Sequence, residues 1–175
     1  MSEEYQEKHL YTTQEKLEEL GYGEWVEEAD EVDFKYRDYH CKIGRSGLSG
    51  ALCGYIQIPN GHPWYEKHYD NIDITVHGGL TFGGFSALIQ GNKIGYLIGF
   101  DCAHSGDIAP GWVKATRILI QADPEWAENE RKFQEKYQTR CRQTFQKTYR
   151  NIQFCIDECK SMVDQAIASE QLVVD

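Results

Sequence analysis

The sequence has no long apolar run and comparatively few basic residues. It therefore contains no candidate membrane-spanning helix, which would need about 20 consecutive apolar residues. The N-terminus lacks the basic start and apolar stretch of a secretory signal, so we expect a cytoplasmic protein. Only 18 Lys and Arg residues stand against 28 Asp and Glu, a formal charge of −10. General binding to DNA or RNA is therefore not expected, because such binding neutralises phosphates with cationic side chains.

The six cysteines include no Cys-x-x-Cys pair and are irregularly spaced, which argues against a zinc ribbon or a disulfide framework. We expect free and mostly buried thiols. At 175 residues and 41% hydrophobic content, the chain is long enough to enclose one core, and we predict a single domain over residues 1–175. Residues 2–33 carry twelve acidic residues and two lysines. This acidic N-terminal extension, at about residues 1–33, is typical of a solvated face or flexible arm.

Local patterns predict a helix followed by strands. Thr12 and Glu15 form a candidate capping box, so a short helix is expected over residues 13–20, ending at Gly21. Residues 34–43 and 48–58 are expected to pair as a hairpin around the turn residues 44–47. Two further strands are expected, one with period-two alternation over residues 72–76 and one over residues 93–100.

The last third of the chain changes to helical patterns. No glycine occurs after Gly111, and Pro124 follows Asp123 as at a helix start. One apolar stripe contains Trp126, Phe133 and Tyr137, and a longer one contains Phe145, Tyr149, Ile152, Cys155, Cys159, Met162 and Ala166. We therefore predict an α+β fold, in which an antiparallel or mixed sheet from the N-terminal and central regions packs against C-terminal helices.

Acidic and imidazole side chains follow two of the predicted strands, beside glycine-rich turns. Loops at strand ends are where a rigid scaffold commonly offers such groups to a ligand. We therefore expect one site at a shared rim of the sheet, formed by Asp73, His77, Asp101, His104 and Asp107.

Several interpretations of this site remain open. His and Asp are natural ligands of a divalent metal, which would activate water for hydrolysis with His62 or His68 as proton shuttle, although no His-Glu-x-x-His signature is present. In a structural interpretation, the same side chains only hydrogen-bond their own turns. Catalysis by Ser105 or Cys102 beside His104 is a weaker option, because no nucleophile elbow is present.

A nucleotide-binding module is another interpretation. Glycine-rich backbone offers amides to a phosphate, and aromatic rings stack a base, although few cations are near in sequence. The predicted ligand-binding set is His62, Trp64, Tyr65, Tyr69, Asp73, His77, Gly78, Gly79, Thr81, Asp101, His104 and Asp107. A further alternative uses the acidic N-terminal extension as a decoy for a basic, nucleic-acid-binding partner.

Four sequence strings resemble a family of small bacteriophage and prophage proteins. They are GYIQIP with GHP at residues 54–63, DITVHGGLTF at 73–82, IGFDCAHSGD at 98–107 and ECKSMVDQ at 158–165. The resemblance covers the middle and the end of the chain but neither the N-terminal extension nor residues 112–142. It implies a phage origin, and no activity carries over with it.

The phage context favours an anti-defence role by analogy. Small phage proteins often block host defences, some by sequestering a cyclic nucleotide-type immune signal without cleaving it. We therefore expect a sponge of this kind, with the metal-dependent, phosphodiesterase-like hydrolase as the alternative. A small nucleotide-type ligand and a homo-oligomer are the expected partners. No cofactor is firmly implied beyond a candidate divalent metal.

Overall fold

The computed structural model describes residues 4–87, 94–125, 128–129, 131–132 and 147–171. Within them a six-stranded antiparallel sheet has the order β1-β2-β3-β4-β6-β5. Its strands are β1 Tyr5–Lys8, β2 Glu31–Tyr36, β3 Tyr39–Arg45, β4 Leu52–Ile58, β5 Phe82–Ser86 and β6 Gly95–Asp101. The α-helices are α1 Thr13–Leu20, α2 Pro110–Ala122 and α3 Ile152–Gln171. The predicted α+β class is confirmed.

Helix α3 packs across one face of the sheet, against β4, β3 and β2. In β4, Leu52, Ile56 and Ile58 are buried beneath it, while the alternating residues are only half-buried. The predicted stripe of Cys155, Cys159, Met162 and Ala166 has no exposed surface and forms the helix side of this core. The alternating apolar residues of β4 thus pack against the helical apolar stripe of α3, as the sequence predicts.

The five cysteines among the described residues are free, and four of them are buried. Cys53 is half-buried, and Cys141 lies outside the described residues. The Sγ atoms of Cys102 and Cys155 lie 3.7 Å apart as thiols. The expectation of free, mostly buried thiols therefore holds for the described part of the chain.

The predicted first strand over residues 34–43 is wrong in its extent. It is itself a hairpin, in which β2 and β3 are joined by Arg37 and Asp38 at positive φ angles of 46° and 67°. Tight turns of this kind strongly favour Asn-Gly or Asp-Gly, so the Arg-Asp pair gave no turn signal. The predicted antiparallel pairing of the next two strands, β3 and β4, is confirmed.

The predicted helix over residues 13–20 is confirmed, with both hydrogen bonds of the Thr12–Glu15 capping box in place. The segment around it, however, is not a solvated arm. Strand β1 pairs with β2 at the sheet edge, and Trp25, Val26 and Ala29 are buried. The acidic residues of this segment therefore belong to a folded part of the domain.

A network of buried charges holds this N-terminal part to the sheet. We call it the buried ion network, and it consists of Lys16, Glu28, Asp30, Arg45 and Tyr149. Asp30 Oδ1 lies 3.1 Å from Lys16 Nζ and 3.0 Å from Arg45 Nε, and its Oδ2 accepts two backbone N–H groups. Arg45 also reaches Glu28 at 3.3 Å and the Tyr149 hydroxyl at 3.0 Å. No local sequence pattern indicates this network.

The segment 72–76 is not a strand, contrary to expectation. Its alternation is correct, since Ile72 is buried and Thr75 is exposed. Its hydrogen-bonding partner, however, is a side chain on α3: Gln165 Oε1 accepts the Thr75 N–H at 2.8 Å, and Gln165 Nε2 donates to the Thr75 carbonyl at 2.8 Å. One amide thus takes the place of a neighbouring strand.

Helix α2, Pro110–Ala122, was not predicted, and it ends before the predicted helix start at Pro124. The described residues from Pro124 to 132 are helical, but Trp126, Phe133, Tyr137 and Phe145 of the predicted stripes lie outside the described residues. Among the helices that the structure describes, none is both long and apolar enough to cross a bilayer.

Candidate metal centre

Three predicted site residues converge where the loop after segment 72–76 meets the loop after β6. We call His77, His104 and Asp107 the histidine–aspartate cluster. His77 Nε2 lies 2.8 Å from Asp107 Oδ2, and the two imidazole rings meet edge to face with centroids 5.2 Å apart. A ligand atom from each of the three lies within 4.8 Å of the others. His77 and His104 therefore lie close together, as expected.

The loop after β6 is shaped by its own carboxylates. Asp101 Oδ1 accepts the Ala103 N–H at 2.9 Å, and Asp107 Oδ2 accepts the His104 N–H at 3.1 Å. Beyond the loop, the chain is held by a parallel bridge, in which Ile108 donates to the Thr148 carbonyl at 3.0 Å. The short spacing of Asp101, His104 and Asp107 thus serves the turn as well as the cluster.

The turn that carries His77 is fitted to His104 and α3. Glu158 Oε2 on α3 accepts the His77 N–H at 2.8 Å. Gly78 follows with a φ of +67°, and a Cβ there would overlap the His104 ring. The absence of a side chain at Gly78 is therefore what allows the two histidines to approach each other.

The carboxylate of Asp107 is held in its ionised form. Its side chain is 1% exposed, and this burial alone would raise its pKa. The hydrogen bonds from His77 and Arg150, with Arg150 Nε 3.0 Å from Oδ1, outweigh burial, so the pKa of Asp107 is lowered from its ordinary value. The Arg150 guanidinium also lies over Phe154, whose ring edge packs against His77.

One atom of the cluster lacks a partner. Among the described residues, His104 Nδ1 is one of two buried side-chain polar atoms without a hydrogen bond. It faces Asp107 Oδ2 at 3.4 Å and Asp101 Oδ1 at 3.9 Å, without the alignment of a hydrogen bond. An unprotonated ring nitrogen opposite a carboxylate is electrostatically unfavourable unless a proton or a cation lies between them.

Two predicted members stand apart from the cluster. Asp101 lies at its edge, with a side chain 33% exposed. Asp73 is exposed and does not belong to the group of atoms within 4.8 Å. The expected meeting of five residues is therefore reduced to three, with Asp101 alongside. The reason is that segment 72–76 joins the fold through Gln165 rather than through a strand edge.

The predicted aromatic and glycine residues have partners within the fold. His62 is buried, accepts the Trp64 N–H on Nδ1 at 2.9 Å and places Nε2 3.0 Å from the Ala166 carbonyl. Trp64 is only 5% exposed, Tyr65 packs against Phe85 and Tyr96, and Tyr69 stacks on His68. The Gly79 N–H donates to the Val76 carbonyl, and the Thr81 N–H donates to the Gly99 carbonyl.

Trp64 is therefore too deeply buried to stack on a base. The Gly79 and Thr81 amides already donate to carbonyls and are not free to bind a phosphate. Sequence reasoning also missed Arg150 and Glu158. Glu158 was within reach, because Glu158 and Gln165 both lie in the string at residues 158–165 and are seven apart, hence on one helix face. Arg150 has no comparable signal, since its role depends on the bridge at Thr148.

A scan against protein-family models, a search of the curated proteins and a search of the solved structures each returned no match. The resemblance to phage proteins and the phage origin therefore stay predictions. The cytoplasmic location and the homo-oligomer stay predictions as well.

Proposed function

We propose that the histidine–aspartate cluster binds one divalent transition-metal ion and that the protein is a metal-dependent hydrolase. The observation that carries this proposal is the unpartnered Nδ1 of His104 opposite the ionised carboxylate of Asp107. A cation between them would satisfy both atoms at once.

The spacing of the ligand atoms supports this proposal. Zn²⁺ binds nitrogen and oxygen at about 2.0–2.1 Å, so two ligands of a tetrahedral site lie roughly 3.4 Å apart. His104 Nδ1 and Asp107 Oδ2 are already separated by 3.4 Å. The 2.8 Å contact from His77 Nε2 to Asp107 would open by roughly half an ångström, with the imidazole proton released on binding.

The surroundings favour a catalytic site over a closed structural one. Three protein ligands leave coordination positions free, which is the pattern of catalytic zinc sites. The imidazoles are 18% and 31% exposed, so a small molecule reaches them from solvent. Two hydrogen bonds orient the ligand residues. Arg150 donates to Asp107 Oδ1, the oxygen that does not face the histidines, and Glu158 accepts the His77 N–H.

The ion would supply a polarised substrate oxygen and a nucleophile at neutral pH. The remaining residues have roles that follow from their positions. Asp101, half-exposed at the edge of the cluster, is placed to accept a proton. Gly78 and Glu158 hold the His77 turn against the His104 ring.

Metal content separates this proposal from a purely structural cluster. The protein, purified without a histidine tag, is expected to hold about one equivalent of Zn²⁺, Mn²⁺ or Fe²⁺ by elemental analysis. His77→Ala and His104→Ala should lose the ion, whereas His68→Ala, at an exposed histidine outside the cluster, should retain it. Equal metal content in all four proteins, or no binding to the metal-free protein by calorimetry, would refute the site.

Turnover separates hydrolysis from sequestration. With metal restored, the protein should cleave an activated phosphodiester such as bis(p-nitrophenyl) phosphate, and His104→Ala should not. A ligand that is bound tightly and returned intact after heating would instead support the sponge that the phage context favours.

A further inference from the structure

A cavity of about 260 Å³ adjoins the cluster on the side of α2. Asp107 belongs to its wall, and the rest of the lining includes Trp112, Thr116, Arg117 and Lys147. A molecule in this cavity therefore lies beside a residue that we assign to the metal. Of the predicted ligand-binding residues, Asp107 alone is in the lining of this cavity.

The two cations of the cavity are free to bind an anion. Within the described part of the chain, Arg117 and Lys147 have no ion-pair partner, and both are exposed. A larger cavity, of about 500 Å³, is lined by Lys16 and Arg45, but their charges are paired with Asp30 and Glu28. In a chain of net charge −10, two unpaired cations in one cavity favour an anionic ligand.

The anion would be held by side chains rather than by the start of α2. Pro110 has no N–H. The Gly111 N–H donates to the Ser49 carbonyl, and the Trp112 N–H donates to the Ala109 carbonyl. Thr116 also lines the cavity, and its hydroxyl would add a neutral donor. A guanidinium, an ammonium and a hydroxyl together suit a phosphate.

Trp112 supplies a flat apolar surface next to these cations. Its side chain is 52% exposed, whereas Trp25 and Trp64 are 6% and 5% exposed. Aromatic rings beside cationic groups bind nucleotides, because every base has a face that stacks and every nucleotide has a phosphate.

We propose that this cavity binds a nucleotide, with its phosphate at Arg117 and Lys147 and its base on Trp112. That this nucleotide is a substrate rests on the hydrolase proposed above, whereas its binding in the cavity does not. For a nucleoside phosphodiester, the oxygen of water forms a new bond to phosphorus and one phosphorus–oxygen ester bond breaks. The leaving oxygen takes a proton, which yields a phosphate monoester and a free hydroxyl.

Binding is tested with AMP on the metal-free protein by calorimetry, so that the metal site cannot decide the result. Saturable binding is expected below about 1 mM. Trp112→Ala should weaken it about five- to a hundredfold, and Trp112→Phe should retain most of it. Arg117→Glu and Lys147→Glu should each weaken it at least about tenfold, and Lys35→Glu, at an exposed lysine on β2, should leave it unchanged.

Two further probes separate the parts of the ligand. Adenosine and inorganic phosphate should each bind more weakly than AMP, because each lacks one of the two contacts. Equal binding of inorganic phosphate and AMP would refute stacking on Trp112. Absence of AMP binding, or AMP binding that none of the cavity variants alters, would refute the nucleotide site while leaving the metal site standing. Loss of metal with AMP binding retained would refute only the hydrolase.

Discussion

The buried ion network and the histidine–aspartate cluster both bring charged side chains together, but they differ in how well those groups are satisfied. In the buried ion network, the side chains of Lys16, Asp30 and Arg45 are at most 3% exposed, and each carboxylate oxygen of Asp30 has two partners. In the cluster, the imidazoles are partly exposed and His104 Nδ1 has no hydrogen bond.

This difference separates structural from functional polar groups. Burying a charge costs several kcal/mol unless partners replace its water, so a network with every group satisfied is part of the folded framework. A cluster that leaves one buried nitrogen unsatisfied beside solvent has a place for a ligand. Changes in the network should therefore affect stability, and changes in the cluster should affect binding.

The largest expected effect is that of Asp30→Ala on stability. This change leaves Lys16 buried without its counter-charge and Arg45 with Glu28 alone, which should cost about 3–5 kcal/mol of unfolding free energy. Denaturant unfolding of the metal-free protein measures this cost, and Asp70→Ala, at an exposed aspartate, should stay within about 0.5 kcal/mol of the native protein. A cost below about 1 kcal/mol for Asp30→Ala would remove the distinction between the two regions.

His104→Ala should have the opposite profile. We expect metal affinity to fall at least about a hundredfold, because loss of an orienting group alone costs 10–100-fold. The stability of the metal-free protein should change by only about 1 kcal/mol, since His104 is partly exposed and its Nδ1 makes no hydrogen bond. Competition with a fluorescent zinc chelator measures the first quantity. Large destabilisation with unchanged metal affinity would assign His104 to the framework.

Two adjacent glycines sharpen the comparison further. Gly78→Ala and Gly79→Ala both place a side chain at positive φ, which costs roughly 1–2 kcal/mol of stability. Only the Cβ at Gly78 meets the His104 ring, whereas the space at Gly79 is open. Metal affinity should therefore fall in Gly78→Ala and stay close to native in Gly79→Ala. Equal affinities would mean that the packing of Gly78 on His104 does not position the ligand.

The smallest expected effect is a slope in the pH dependence of stability. Burial opposes ionisation of Asp30, but the hydrogen bonds from Lys16, Tyr11 and Arg45 outweigh it, so its pKa is lowered in the folded protein. Because the unfolded chain holds its proton at higher pH, the stabilisation is complete above the ordinary aspartate pKa of about 4 and is lost as pH falls through the folded value.

Melting temperatures of the metal-free protein between pH 6 and pH 3 measure this slope. Asp30→Asn should be less stable at pH 6 and should lose less on acidification than the native protein. Parallel curves for the two proteins would show that Asp30 does not carry the acid sensitivity.

Local patterns predicted the parts of the fold whose causes are local. The Thr12–Glu15 capping box, the alternation in β4 and the stripe of Cys155 and Cys159 each lie within one element, and each is present as expected. The hairpin at Arg37 and Asp38 was missed because Arg37 adopts a left-handed conformation that arginine disfavours and no glycine marks the turn.

The candidate site was partly predictable for the same reason. His77 follows the alternating segment 72–76, and His104 and Asp107 follow the apolar strand β6, so the polar loops after these two segments were expected to meet. Trp64 and Trp112 show the limit: both are tryptophans in polar sequence, yet one is buried against His62 and the other is exposed on a cavity wall. Burial depends on what packs against a ring, and sequence spacing does not contain that information.

By itself, therefore, the sequence determined the fold class, the α1 boundaries, the core stripe of α3 and three members of the histidine–aspartate cluster. Tertiary structure alone decided that Lys16 and Asp30 meet in the buried ion network, that Gln165 replaces a strand beside Thr75 and that Arg150 holds Asp107. The physical reason is how far apart in the sequence the interacting groups lie. Capping, alternation and helical stripes arise from neighbours within a few residues, whereas these contacts join groups that lie 14 to 90 residues apart and meet only when the sheet and α3 have packed.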